Sequence, residues 1–125
     1  MPKGFSRAVV NAADAAKIIG IKAGAKSDHR FTGLWPVVVN RRVYARSWTL
    51  KKDGWYRTFL EDRDGLLQVG DREIRVRAVP ARSERVRDAV EDAYAAKYNT
   101  KASQKYVRGF RTARRREATM EFVPR

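Results

Sequence analysis

Residues 34–49 read LWPVVVNRRVYARSWT, two apolar runs separated by Asn40-Arg41-Arg42. The first run is rich in valine, which favours a buried strand, and the residues between the runs have turn character. We therefore predict a β-hairpin with strands over 34–40 and 43–49. Pro36 cannot donate a ladder hydrogen bond, so we expect the first strand at a sheet edge or a bulge.

A second hairpin is predicted downstream, where Gly70-Asp71 separates strands over 66–69 and 73–79. Apolar residues and arginines alternate in the later strand, which predicts one core face and one face for solvent or ligand. Between the hairpins, the periodicity of residues 55–60 fits either a strand or a short helix.

Caps and apolar periodicity predict three helices, over 11–19, from the Ser83 cap to about Tyr98, and over 101–111 or slightly beyond. Residues 20–33 contain three glycines and are predicted to form a loop with room for a short strand. A last strand is predicted over 119–123.

Consecutive strands joined by short turns predict an α+β fold, in which a small antiparallel β-barrel of about six strands carries helices. One short helix is expected before the barrel and two near the C-terminus. The 125 residues contain no long linker, so we expect one domain over 1–125. No run approaches about 20 apolar residues and no signal-peptide pattern is present, so we expect a cytoplasmic protein without membrane contact.

The residue types in the chain exclude several kinds of catalytic and metal site. The chain has no cysteine, which excludes disulfides, thiolate metal ligands and cysteine nucleophiles. His29 is the single histidine, so we predict no metal site and no catalytic triad, and catalytic residues stay unassigned. Residues 20–27 nearly match a phosphate-binding loop, but Ala25 replaces its second glycine, and we interpret the segment as a basic surface loop.

The net charge of +14 predicts an anionic, phosphate-bearing partner. Residues 97–116 contain eight Lys or Arg and no acidic residue. Such a stripe is typical of nucleic-acid binders. It could equally face the acidic first half of the preceding helix, or solvent. The candidate nucleic-acid contacts are Lys101, Lys105, Arg108 and Arg115.

Aromatic and basic residues are interleaved from Tyr44 to Arg57. Arg46 beside Ser47 suits a phosphate, and the neighbouring aromatic faces suit a flat ring system. The alternative is that the aromatic residues pack in the core and the arginines pair with carboxylates.

The motifs VYARSW (43–48), GWYR (54–57) and LLQVG (66–70) occur in an order similar to that of deazaflavin-dependent nitroreductases of the pyridoxamine phosphate oxidase-like split-barrel superfamily. Residues 19–124 resemble more closely a bacterial family of unknown function, through these motifs together with His29-Arg30-Phe31 and the Ala93–Tyr98 segment. One early motif of the deazaflavin enzymes is absent, and only scattered residues between Lys22 and Ser27 partly match it.

The resemblance implies a six-stranded split barrel that forms a homodimer, binds FMN or deazaflavin without a metal at the subunit interface, and acts as an oxidoreductase. By that analogy Arg46 and Ser47 meet the phosphate, while Trp55 and Tyr56 border the cofactor. Arg30 and Arg57 are further implied cofactor contacts. Two other functions stay open, namely a nucleic-acid-binding module that uses the 101–116 helix and a non-catalytic interaction domain without cofactor.

Overall fold

The computed structural model describes residues 4–26 and 30–125. In these ranges seven strands occur: β1 (Ile19–Ala23), β2 (Thr32–Leu34), β3 (Pro36–Val39), β4 (Arg42–Arg46), β5 (Asp64–Val69), β6 (Arg72–Pro80) and β7 (Thr119–Pro124). Five α-helices accompany them: α1 (Arg7–Ala15), α2 (Trp55–Glu61), α3 (Glu84–Lys97), α4 (Gln104–Gly109) and α5 (Ala113–Glu117). A single 3₁₀ turn, Lys101–Ser103, precedes α4.

The strands form one sheet in the order β2-β1-β5-β6-β7-β4-β3, and each neighbouring pair is antiparallel. Its two edges, β2 and β3, are consecutive in the chain and are separated only by Trp35. The sheet therefore curls into a nearly closed barrel with helices around it. The predicted fold class, an α+β antiparallel split barrel, is confirmed.

Both predicted hairpins are confirmed. In the first, Val39 pairs with Arg42 across Asn40 and Arg41, whose φ angles of 50° and 66° form the two-residue turn that suits twisted strands. In the second, β5 pairs with β6. Pro36 cannot donate a ladder hydrogen bond, and it is tolerated because β3 is an edge strand, as predicted.

The predicted N-terminal helix is displaced. It begins at Arg7 rather than Asn11, because the Ser6 Oγ accepts a hydrogen bond from the Val9 amide at 3.3 Å. It ends at Ala15, and Ile19 belongs to β1. Buried and partly buried residues alternate along β1, so this short segment satisfies a strand period and not a helix period.

The loop predicted over 20–33 is wrong in part, since β1 pairs there with β2 and raises the number of strands from six to seven. Glycine pairs with glycine at Gly20 and Gly33 in this ladder. The strands are only five and three residues long, and a glycine at the centre of the ladder interrupts each, so neither carries a clear strand signal in the sequence.

The helix predicted over 101–111 or slightly beyond is confirmed as helical turns over 101–109, but it does not continue as one helix past Gly109. Gly109 ends α4, and the amides of Arg111 and Thr112 then donate to the carbonyls three residues earlier, a tightened helix end. The chain changes direction there, so α5 runs separately from α4. This break decides where the basic residues of the segment point.

Two buried clusters hold the fold together. One fills the barrel, where Phe59 and Phe122 meet aliphatic residues of the central strands. Trp55 and Phe59 of α2 are both buried and lie four residues apart, which is why residues 55–61 are a helix. The second cluster lies between β3, β4 and the helices α3 and α4. In the described residues, no helix is long and apolar enough to cross a membrane.

Candidate functional site

A cavity of about 570 Å³ opens beside β2, at the gap where the barrel does not close. The residues that line it come from the β2–β3 junction, the segment after β4, the start of α2, and α4 with the residue that follows it. They are Thr32, Gly33, Leu34, Trp35, Arg46, Trp48, Thr49, Asp53, Gly54, Trp55, Tyr106 and Phe110. We call this space the aromatic cavity, because five of these side chains are aromatic.

Four of the five cavity aromatics belong to a closed cycle of six rings. Successive ring centroids are 4.4 to 5.7 Å apart around the cycle Tyr94, Tyr98, Trp35, Tyr106, Trp48, Phe110 and back to Tyr94. Such pairs contribute about 0.5–1.5 kcal/mol each beyond the burial of their area. The cycle therefore fixes the cavity walls, although its members come from four separate segments of the chain.

The Tyr94 hydroxyl connects the β2–β3 junction with the end of β4 through two hydrogen bonds. It donates to the Trp35 carbonyl at 2.6 Å and accepts from the Arg46 amide at 2.8 Å. Burial raises the pKa of this hydroxyl above its usual range, so it keeps its proton and its donor role. Tyr98 and Lys97 add support, since both donate to the Pro36 carbonyl at 2.8 Å.

Tyr94→Phe is expected to lower the free energy of unfolding by about 1–3 kcal/mol, because it leaves a buried carbonyl and a buried amide without their partner. Urea unfolding followed by circular dichroism measures the loss. Tyr106→Phe is the matched control, since the Tyr106 hydroxyl has no hydrogen bond to any residue that the structure describes. Equal stability of the two variants would contradict the bridging role of Tyr94.

Cations lie over the rings of the cavity wall. The Lys17 Nζ is 5.7 Å from the Trp35 ring centroid, and the Lys105 Nζ is 5.8 Å from that of Tyr106. The guanidinium of Arg115 lies closer, 3.8 Å from the Trp48 centroid. The cavity is therefore apolar inside and bordered by positive charge, a field that favours an anionic ligand.

Arg46 is the most buried charged side chain near the cavity, with no exposed side-chain surface. Its Nε donates to the Thr119 hydroxyl at 2.9 Å, and its Nη1 to the Phe110 carbonyl at 2.9 Å and to Glu91 at 3.3 Å. Its Nη2 donates to the Arg87 carbonyl at 3.0 Å. Burial lowers the pKa of the guanidinium and Glu91 opposes the shift, but an arginine stays charged.

The remaining implied cofactor contacts are dispersed. Ser47 is fully buried and donates to the Thr49 carbonyl at 2.5 Å, while the Tyr56 hydroxyl donates to the Glu117 carbonyl at 3.2 Å. Trp55 is buried in the barrel core and also lines the cavity. Arg30 and Arg57 are exposed and lie outside the cavity lining. Of the six residues only Arg46 and Trp55 reach the cavity, and the cofactor roles of all six stay predictions.

The four candidate nucleic-acid contacts separate into two groups. Lys101, Lys105 and Arg108 are exposed on the 3₁₀ turn and α4. Arg115, which lies on α5, instead packs over the Trp48 ring in the cavity wall. Next to it, Arg116 donates to Glu84, Asp88 and Glu91 at 2.8–2.9 Å, so part of the basic run faces the acidic half of α3. Binding of nucleic acid by the first group stays a prediction.

Sequence reasoning did not assign Trp35 or Tyr106 to the site, and it included Trp48 only among the aromatic faces between Tyr44 and Arg57. Tyr106 and Phe110 lie four residues apart in an otherwise basic segment, and that spacing was interpreted only as the apolar face of a helix. Trp48 was placed on a strand, but β4 ends at Arg46. Its exposed fraction of 37% is high for a tryptophan and is a signal that only the structure provides.

The single histidine, His29, lies outside the described residues. Among the residues that are described, no three His, Cys, Asp or Glu side chains are grouped so that they could hold a metal ion.

Comparison with known proteins supports the fold. Residues 8–122 match the model of a family described as uncharacterized protein conserved in bacteria, DUF2255. No curated protein matches the chain. The crystal structure of a conserved hypothetical protein from Mycobacterium tuberculosis is similar with a TM-score of 0.61 and 12% identity, over 97% of this chain and 81% of that one. The crystal structure of an FAD-binding protein from Mesorhizobium loti is similar with a TM-score of 0.55 and 12% identity. The match covers 98% of this chain and 90% of that one.

Proposed function

The chain belongs to the bacterial family DUF2255, and we propose that it uses the aromatic cavity to bind the ring system of a phosphorylated flavin or deazaflavin. The observation that carries the proposal is the lining of the cavity by three tryptophans, one tyrosine and one phenylalanine. Planar heterocycles stack on such faces. A protein of similar fold from Mesorhizobium loti is described as FAD-binding, which supports a ligand of this class.

The cavity fits the ring system of such a cofactor in size and chemistry. Its volume of about 570 Å³ lies within the range of roughly 300–1,000 Å³ that ligand sites occupy. The walls are apolar, and polar groups are few, with Thr32 on β2 and Asp53 before α2 among them. The edge strand β2, which pairs only with β1, contributes Thr32, Gly33 and Leu34 to the wall.

The charge around the cavity fits a phosphate outside the ring. Lys17 and Lys105 border it, and no carboxylate of the described residues forms an ion pair with either. These cations are better placed for a phosphate than the guanidinium of Arg46, whose three nitrogens all donate to protein oxygens.

A bound flavin or deazaflavin would supply the redox chemistry, and the protein would bind it, orient it and limit its contact with water. The proposed reaction class is therefore reduction of a substrate that stacks on the exposed face of the cofactor. Trp48 and Tyr106 are 37% and 39% exposed at the cavity border, and we propose a homodimer that leaves them open to the cofactor and its substrate. Sedimentation velocity with and without cofactor tests the dimer.

The test of the site is cofactor retention. Purified protein is mixed with FMN and with a deazaflavin, desalted, and examined by its visible spectrum, after which flavin fluorescence gives the Kd. Trp48→Ala is expected to weaken binding roughly 5- to 160-fold, since loss of one stacking partner costs about 1–3 kcal/mol. Leu60→Ala is the control, because Leu60 is equally exposed at 38% but lies outside the cavity lining.

Equal affinity of the Trp48→Ala and Leu60→Ala variants would contradict the site. A wild-type protein that binds no flavin but binds a single-stranded oligonucleotide, with affinity falling steeply with salt, would favour the nucleic-acid module. That second function is favoured by one observation: Lys101, Lys105 and Arg108 are exposed and form no ion pair with a described carboxylate. A protein that binds neither ligand would be an interaction domain.

A further inference from the structure

Trp48 occupies an unusual position for a cavity wall. It lies two residues beyond the end of β4, in the segment 47–54, which contains no helix or strand. A large side chain on such a segment can ordinarily choose among rotamers. Here the indole has neighbours on several sides, since it makes T-shaped contacts with Tyr106 and Phe110 at centroid distances of 5.2 and 5.6 Å.

Gly109 provides the space that the indole occupies. A Cβ at this position would overlap the Cη2 and Cζ3 atoms of Trp48. Gly109 does not have a positive φ, so backbone conformation does not require glycine there. Alanine is also the better helix former, so the helical conformation of α4 does not require glycine there. The missing side chain at position 109 therefore serves the packing of Trp48 and not the helix.

Arg115 holds the indole from another direction. Its guanidinium lies 3.8 Å from the ring centroid, and its Nε donates to the Trp48 carbonyl at 2.9 Å. Its Nη1 donates to the Gly109 carbonyl at 3.4 Å. One side chain thus contacts both the ring and the backbone of Trp48 and also the residue against which the ring packs. This geometry depends on the break between α4 and α5, which turns Arg115 back.

We propose that Gly109 and Arg115 form a clamp that sets the position of the Trp48 indole and thereby the width of the aromatic cavity. Both are positioning residues, since neither lines the cavity. Because Trp48 is part of the cavity lining, a clamp that fixes its indole also influences which ring systems the cavity admits. The ligand part of this inference rests on the proposed function, whereas the position of the indole can be measured without any ligand.

Gly109→Ala is the direct test. Trp48 lines the cavity and Gly109 does not, so an added Cβ is expected to push the indole into the cavity. Trp48 is the most exposed of the three tryptophans, so acrylamide quenching of tryptophan fluorescence reports mainly on it. We expect quenching of the ligand-free variant to fall and its affinity for FMN to drop about tenfold or more. Gly4→Ala is the matched control, because a Cβ there meets nothing within 4 Å.

The double variant W48A/G109A separates the clamp from a general effect on packing. Once the indole is absent, the alanine at position 109 has nothing to displace, so its FMN affinity should equal that of Trp48→Ala within about twofold. If Gly109→Ala fails to fold, Arg115→Lys is tested in its place. Lysine lacks the planar guanidinium that contacts the indole and the two carbonyls, so the indole should become more mobile and acrylamide quenching should rise.

The clamp is overturned if quenching of Gly109→Ala, or of Arg115→Lys where that variant replaces it, matches that of the wild type. It is also overturned if Gly109→Ala weakens FMN binding equally with and without Trp48. Failure of the proposed function has a different signature. In that case no variant binds FMN, yet quenching still changes in the clamp variants.

Discussion

Arg46→Met is expected to lower the free energy of unfolding by roughly 3 kcal/mol, the low end of the cost of breaking a buried ion pair. The guanidinium makes four hydrogen bonds that connect β4 with α3, β7 and the end of α4. Methionine retains most of the aliphatic volume but leaves the Phe110 carbonyl without a donor, while the Arg87 carbonyl keeps only its bond within α3. The low end applies because Glu91 keeps its ion pair with Arg116 at 2.9 Å.

Urea unfolding measures this effect, with Arg57→Met as the control. Arg57 is exposed on α2, so its loss should change stability by no more than about 0.5 kcal/mol. The same variant also tests the phosphate role that the resemblance implies for Arg46. A folded Arg46→Met protein of wild-type stability that binds riboflavin but has lost FMN would establish that role and contradict the structural one.

Arg46 illustrates what local sequence can and cannot determine. Its spacing from neighbouring aromatic residues left two alternatives open, a phosphate contact or an arginine paired within the fold. The choice depends on Glu91 and Phe110, which lie 45 and 64 residues away in the chain. No periodicity or motif near position 46 carries that information, because the partners are brought together only by tertiary packing.

The hairpins were predictable for the opposite reason. Asn40-Arg41 and Gly70-Asp71 act through the conformation of the turn itself, so their effect is local. The strands β1 and β2 were harder, since Gly20 and Gly33 have no side chain to give an alternating pattern. They are strands because β5 provides a partner for β1, and β1 in turn for β2.

The cavity itself was only partly predictable. Trp55 was assigned from the interleaved aromatic and basic residues, and it does line the cavity. Trp35 and Tyr106 were not assigned, because one follows an edge strand and the other lies on a helix 71 positions later. Their rings meet at 5.5 Å only because the gap between β2 and β3 faces α4. The cavity therefore forms only when the sheet has curled into a barrel and α4 has packed beside its gap.

The double variant K17Q/K105Q is expected to weaken FMN binding by about 10- to 100-fold while riboflavin binding changes by less than about twofold. The two ligands share one ring system and differ in the phosphate. Lys17 and Lys105 lie over the cavity rings Trp35 and Tyr106, where charge-assisted hydrogen bonds to a phosphate contribute about 1.5–3 kcal/mol each before screening by solvent. Titrations followed by flavin fluorescence give both dissociation constants, and added salt should reduce the preference for FMN.

Arg108→Gln is the control for this variant, since it removes a neighbouring positive charge on α4 from a residue that lies over none of the cavity rings. If Arg108→Gln weakens FMN binding as much as Lys17→Gln or Lys105→Gln does alone, the phosphate is attracted by the overall positive charge. It then makes no specific contact with the two lysines. If riboflavin binding falls together with FMN binding in K17Q/K105Q, the lysines act by supporting Trp35 and Tyr106. Selective loss of FMN would instead place the phosphate between α1 and α4, at the mouth of the gap in the barrel.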